Sequence, residues 1–207
     1  MISLKDQESL LLGISRKLTR KMTVYAIGGT AMMFLGYKEA TLDIDLVFTT
    51  EKDRKEFIRA AKSLGYIHMD PCRVYGKKEN QPIMLKRIEE RLDLFLRDVI
   101  SFTFSEDMKK RANDIHEFGD KLIVKIANLH DIILMKCVTD RVKDMEDIKS
   151  IISNSQIEWD IILGEAKRQI ELGRKRPVFY LIGTLLDLRK AGIKIPEDFF
   201  KRIWSLI

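Results

Sequence analysis

Three aspartates fall where their side chains can share one surface. Asp43 and Asp45 are one residue apart in Asp43-Ile44-Asp45-Leu46-Val47-Phe48, and Asp93 lies in Arg91-Leu92-Asp93-Leu94-Phe95-Leu96. Both runs alternate with the period of a β-strand, so Ile44, Leu46 and Phe48 point one way while Asp43, Asp45 and Val47 point the other. Leu92, Leu94 and Leu96 likewise share a face, and Asp93 points away from it. Carboxylates two residues apart on a strand stand about 7 Å apart. They repel unless a cation lies between them, and a divalent metal ion serves well. If the two strands are neighbours, three carboxylates on one sheet face can hold two magnesium ions. One ion would activate a hydroxyl nucleophile, and both would stabilise a transferring phosphoryl group. Any one of these aspartates alone reads as an ordinary exposed strand residue. The functional reading rests on the three together.

Upstream, Gly28-Gly29 ends a short β-rich run, Thr23 to Ile27, and opens a helix from Thr30 to about Leu35. Glycine lets a backbone approach a ligand closely, and N–H groups at a helix start suit phosphate. Thr30 adds a hydroxyl. A lone Gly-Gly is more often a plain turn, and it gains weight here from its place before Asp43.

With these residues in hand, the chain resembles the polymerase-β-like nucleotidyltransferase superfamily. The shared pattern is Gly28-Gly29-Thr30, a short helix, Asp43-Ile44-Asp45, and Asp93 on a later strand. The resemblance implies an α+β nucleotidyltransferase fold, a mixed sheet flanked by helices and followed by a C-terminal helical bundle. It implies that Gly28, Gly29 and Thr30 contact the triphosphate of an NTP, and that Asp43, Asp45 and Asp93 bind magnesium, or manganese in its place. Many relatives carry serine where this chain has Thr30. The segment Lys136…Arg141-Val142-Lys143-Asp144-Met145-Glu146-Asp147 is similar to nucleotidyltransferases related to abortive-infection toxins. That finer likeness implies nucleotide binding by Lys136, Arg141 and Asp144. It also implies a tRNA or other RNA 3′ end as acceptor, and a toxin role beside an antitoxin protein. If the helix through this segment is continuous, Lys136, Asp140, Lys143 or Asp144, and Asp147 form one stripe. Asp144 and Asp147 serve equally well as braces or as substrate-side groups.

Elements must position these groups. Helical spacing runs from about Leu4 to Leu18, and Thr50 to Asp53 has capping-box spacing before a helix carrying Phe57, Ile58, Ala61 and Leu64. Gly36 and Gly65 read as helix stops. Strands are expected at Tyr66–Met69, Cys72–Tyr75, Ile83–Arg87 and Arg91–Leu96, with Lys77 to Asn80 as a hairpin-like loop. A short helix follows from Ser105 to Lys110, then a hairpin, Asn113–Phe118 with Leu122–Ile126, across Gly119-Asp120. Beyond Ala127 five helices are expected. This gives an α/β nucleotidyltransferase domain at 1–126 and a helical domain at 127–207.

At 207 residues, 45% hydrophobic and 33% charged, the chain can bury a core. No apolar run of 18 or more residues appears, which argues against a membrane helix. Cys72 and Cys137 lack metal-ligand spacing and read as free thiols in a reducing cytoplasm. A net charge of +6 permits a polyanionic partner. The basic run Arg174-Lys175-Arg176 is a candidate RNA contact. Two rivals stand beside RNA nucleotidyl transfer: transfer to a small molecule or protein, and a non-catalytic nucleotide- or partner-binding module.

Overall fold

The computed structural model describes residues 1–139 and 141–207. The chain opens with strand β1 (Ile2–Ser3) and helix α1 (Leu4–Lys17). Ser3 and Asp6 cap α1 reciprocally, each side chain bonding the other's N–H. Strand β2 (Met22–Ala26), helix α2 (Gly28–Phe34), strand β3 (Ala40–Thr41) and strand β4 (Asp43–Phe48) follow. Gly36, at φ +77°, ends α2 with its N–H on Met33 O and that of Tyr37 on Met32 O. Thr50 caps helix α3 (Glu51–Lys62) by accepting the Asp53 N–H.

Next come β5 (Ile67–Met69), α4 (Cys72–Tyr75), β6 (Ile83–Arg87), β7 (Glu90–Leu96), β8 (Asp98–Val99) and β9 (Phe102–Thr103). Residues 72–75, expected as a strand, are helical. Pro71 fixes φ at −66°, the Asp70 carboxylate accepts the Cys72 N–H at 2.9 Å, and Gly76 leaves the turn at φ +61°. Local turn chemistry here overrides the strand preference of Val74 and Tyr75. Lys77 to Asn80 is therefore no hairpin loop. β6 pairs instead with β5, across α4.

Helix α5 (Glu106–Arg111) leads to β10 (Asp114–Phe118) and β11 (Leu122–Ile126), a hairpin closed at Gly119 with φ +55°. Helices α6 (Leu129–Lys136), α7 (Val142–Asn154), α8 (Trp159–Glu171), α9 (Lys175–Lys190) and α10 (Glu197–Trp204) complete the chain.

The architecture is α+β. A mixed sheet runs β10-β11-β2-β4-β7-β6-β5, with β8 and β9 appended to β7 and a small β1–β3 pair apart. At its centre β4 and β7 are parallel, with Ile44 beside Leu92 and Asp45 beside Asp93. The Ile44, Leu46 and Phe48 face is fully buried, and Phe48 meets Phe57 of α3 edge-on at 5.2 Å. α1 and α3 cover that side. The opposite face carries the aspartates.

One hydrophobic core runs from Ile2 through both regions to Ile203. A polar network ties the helical region to the sheet. Arg111 pairs with Asp131 of α6 at 2.7 Å and with Glu165 of α8, and Gln169 donates to Thr103 O at 2.8 Å. Among the described residues no helix is long and apolar enough to cross a membrane. Cys72 and Cys137 are free, the first exposed and the second buried.

Candidate active site

The register of β4 and β7 builds the centre of the site. With Asp43 opposite Arg91 and Asp45 opposite Asp93, four charged side chains occupy one block of the polar sheet face. The carboxylates of Asp43, Asp45 and Asp93 each offer an oxygen within 4.8 Å of the others. Their surroundings differ. Arg91 bridges two of them, bonding Asp43 Oδ2 and donating from Nε to Asp93 Oδ1 at 3.0 Å. The Tyr75 hydroxyl donates to Asp93 Oδ2 at 2.6 Å, and the Thr41 hydroxyl to Asp43 Oδ1 at 3.3 Å. Among the described residues, nothing donates to the Asp45 carboxylate.

The electrostatics follow. Burial, then the neighbouring Asp93 charge, pushes the Asp45 carboxyl up to about 7. Burial also raises Asp93, outweighing the help of Arg91 and Tyr75. Burial and the two acids hold the Tyr75 phenol well above its ordinary range, so it stays a proton donor. Three hard oxygen donors at this separation fit a divalent ion such as magnesium or manganese.

Gly28 and Gly29 line the cleft beside these acids, whereas Thr30 does not open on it. Both glycines are required by close approach. Gly28 has φ +56°, and a Cβ there would stand 2.7 Å from Asp45 Oδ2; one on Gly29 would stand 2.6 Å from Thr41 Oγ1. Thr30, expected on the triphosphate, is fully buried, and its hydroxyl accepts the Asp45 N–H at 2.8 Å. It braces β4 against α2.

The far wall comes from the helical region. Helix α6 ends at Lys136 and α7 begins at Val142, so the described residues form two helices rather than one continuous stripe. Asp140, a member of the expected stripe, lies outside the described residues. Lys136 is buried, with Nζ donating to Asp144 Oδ1 at 2.6 Å and Asp147 Oδ2 at 2.7 Å. Arg141 Nε donates to Asp144 Oδ2 at 2.7 Å, and Thr139 bonds the same carboxylate. Burial opposes ionisation of Asp144, but Lys136, Thr139 and Arg141 together hold its carboxyl below the usual range. Lys38, from the α2–β3 connection, reaches Asp147 at 2.6 Å. Burial lowers its ammonium despite that partner.

Between the two walls lies an open cleft. Its apolar lining comprises Val74, Phe95, Val99 and Phe102 from the sheet region with Met135 and Val138 from the helical region. Lys78, Arg141 and Lys143 are among the cations that line it. All the residues expected at the site, apart from Thr30 and the buried Asp93, line this cleft, and Asp93 sits beside Asp45 on the neighbouring strand.

Arg91, Tyr75 and Lys38 belong to the site without having been read from the sequence. Arg91 was legible, since it stands two residues before Asp93 on the same strand face. Tyr75 was hidden by the strand expected at 72–75. Lys38 carries no local signal, because its partner is more than one hundred residues away.

The model of the family described as "Nucleotidyltransferase of unknown function (DUF6036)" matches residues 3–171, most of the chain. Among solved structures, the "Crystal Structure of ANT(2")-Ia in complex with adenylyl-2"-tobramycin" is similar at 15% identity, over 88% of this chain and 98% of that one, with a TM-score of 0.46. No curated protein matches the chain.

Proposed function

The chain belongs to this nucleotidyltransferase family, and from that premise we propose that it moves a nucleoside monophosphate from an NTP to an acceptor hydroxyl in a magnesium- or manganese-dependent reaction. The observation that carries the reading is the convergence of Asp43, Asp45 and Asp93 within 4.8 Å, with Asp43 and Asp45 lining the cleft. Those three residues would hold the ions, which supply charge neutralisation at the transferring phosphoryl group.

The chain's own residues supply the rest. Gly28 and Gly29 give the triphosphate a floor it can approach without side chains intervening. The apolar lining suits a base, and Lys38, Lys136 and Arg141, each paired with Asp144 or Asp147, line the cleft as cations. Asp93, the most buried of the three acids, takes the acceptor hydroxyl's proton. The acceptor oxygen then bonds the α-phosphorus. The bond to the bridging oxygen breaks, and pyrophosphate leaves with its electron pair. Residues 1–126 carry the acids in this reading, and residues 127–207 form the opposing wall as a second domain.

The favoured acceptor is the 3′ end of tRNA or another RNA. Support comes from the likeness of the Lys136 to Asp147 segment to abortive-infection-toxin relatives, and from Lys78, Arg141 and Lys143 in the cleft lining. A toxin role with an antitoxin partner rests on the same likeness. Labelled NTPs, magnesium and total RNA test the reading. Wild type labels RNA, the Asp43→Ala, Asp45→Ala double variant does not, and labelling falls steeply with salt. Equal labelling by the two proteins would defeat it.

A further inference from the structure

Arg91 stands in the middle of the acidic block. Its position is set by the backbone, because β7 places it opposite Asp43 and two residues before Asp93. It takes one oxygen from each of these carboxylates, and Tyr75 takes the second oxygen of Asp93. Asp43 and Asp93 thus lend oxygens to protein donors that a divalent ion would need. Only Asp45 is without a donor among the described residues. A guanidinium that bridges two carboxylates occupies the electrostatic position of a bound cation.

We propose that Arg91 is a built-in counter-ion that competes with the divalent ion, so that loading the site requires the guanidinium to leave Asp93 and Asp43. In the metal-free protein it relieves the repulsion among the acids. On loading, Asp43 and Asp93 would offer the released oxygens to the ion, with Arg91 turned toward solvent, to which it is already 19% exposed. This inference rests on that reading of the three acids as the metal site. Arg91 acts through its neighbours and is a positioning residue.

The test is manganese binding to the full-length protein, read by electron paramagnetic resonance of the free ion and by calorimetry. Thermal unfolding is measured with and without the ion. Arg91→Met and Arg91→Gln both remove the charge, and the second keeps a polar group should the first fold poorly. Arg91→Lys restores charge. Lys86→Met is the control, because Lys86 pairs with Arg91 across β6 and β7 but is exposed and bonds no carboxylate among the described residues.

The expected result is that both neutral variants bind manganese about tenfold or more tighter, as loss of a unit charge a few ångströms away predicts. They also melt lower without the ion and gain more from it. Arg91→Lys stays close to wild type, and Lys86→Met is unchanged. Equal or weaker binding by the neutral variants, with wild type still binding, would overturn the counter-ion role alone. So would equal tightening by Lys86→Met, which would mean general charge rather than a specific competitor. If no form binds manganese, or if the Asp43→Ala, Asp45→Ala variant binds as wild type does, the metal-site reading falls with it.

Discussion

Asp45 and Asp93 face each other across the parallel β4–β7 pair, yet only one of them is held. Both Asp93 oxygens take protein hydrogen bonds, while the Asp45 carboxylate takes none among the described residues. Asp45 is therefore the acid with most to lose from being ionised in the metal-free state.

Replacing Asp45 with asparagine tests that asymmetry. The uncharged isostere removes the desolvated charge beside Asp93, so the metal-free protein gains about 1 kcal/mol or more at pH 8. Nucleotidyl transfer falls at least a hundredfold at the same time, because an amide cannot replace a carboxylate on a cation. Chemical unfolding and a labelled-NTP assay on the same preparation read both effects.

Two glycines with positive φ separate backbone strain from crowding. Gly28→Ala drives a Cβ to 2.7 Å from Asp45 Oδ2, whereas Gly36→Ala meets nothing within 4 Å. Each costs about 1–2 kcal/mol for the left-handed backbone. Gly28→Ala loses transfer activity as well, and Gly36→Ala keeps it. Thermal melts with parallel rate measurements distinguish them, and an active Gly28→Ala enzyme would mean that Asp45 moves freely.

The buried Lys136–Asp144 pair should behave as a unit. Lys136→Met leaves Asp144 buried with fewer donors and costs about 3 kcal/mol. Asp144→Asn in addition recovers much of that loss, because the uncompensated charge is gone. A double-mutant cycle in urea measures the coupling, and additive losses would show that the pair is not coupled.

Acid dependence of stability has a named source in the polar network. Burial pushes the Asp131 carboxyl up to about 6, against the pull of Arg111. The folded chain therefore holds a proton there that the unfolded chain has released. This group's contribution to stability is largest below about pH 4 and declines as pH rises through about 6. Asp131→Asn flattens that slope by about 1–3 kcal/mol between pH 4 and 7. Urea titrations at several pH values show whether the slope disappears.

How far the sequence reaches is clear from individual residues. Asp43, Asp45 and Asp93 were legible because strand alternation is local and period two is unambiguous over six residues. Their convergence needed one added assumption, that the two strands are neighbours. Gly28 and Gly29 were legible as a pair, but the reason for them was not. The side chains they make room for, Asp45 and Thr41, arrive from later strands. Thr30 shows the reverse case, a hydroxyl in the right place whose partner is backbone rather than ligand. The segment Cys72–Tyr75 reads as a strand from Val74 and Tyr75, which are outvoted by Asp70, Pro71 and Gly76. Asp147 was read from its segment, but its pairing with Lys38 was out of reach, since an ion pair spanning 109 positions leaves no trace in spacing.

The parallel pairing of β4 with β7 also governs when the site can exist. Parallel neighbours need a long crossover, here the whole stretch from α3 to β6, and closing such a loop is slow. A nascent chain that has made Gly28 to Phe48 holds the first two acids but no site. Its third carboxylate and its guanidinium arrive together on one strand. At no stage of folding, then, do the three acids meet without Arg91 among them, and the step that completes the acidic cluster also neutralises part of it.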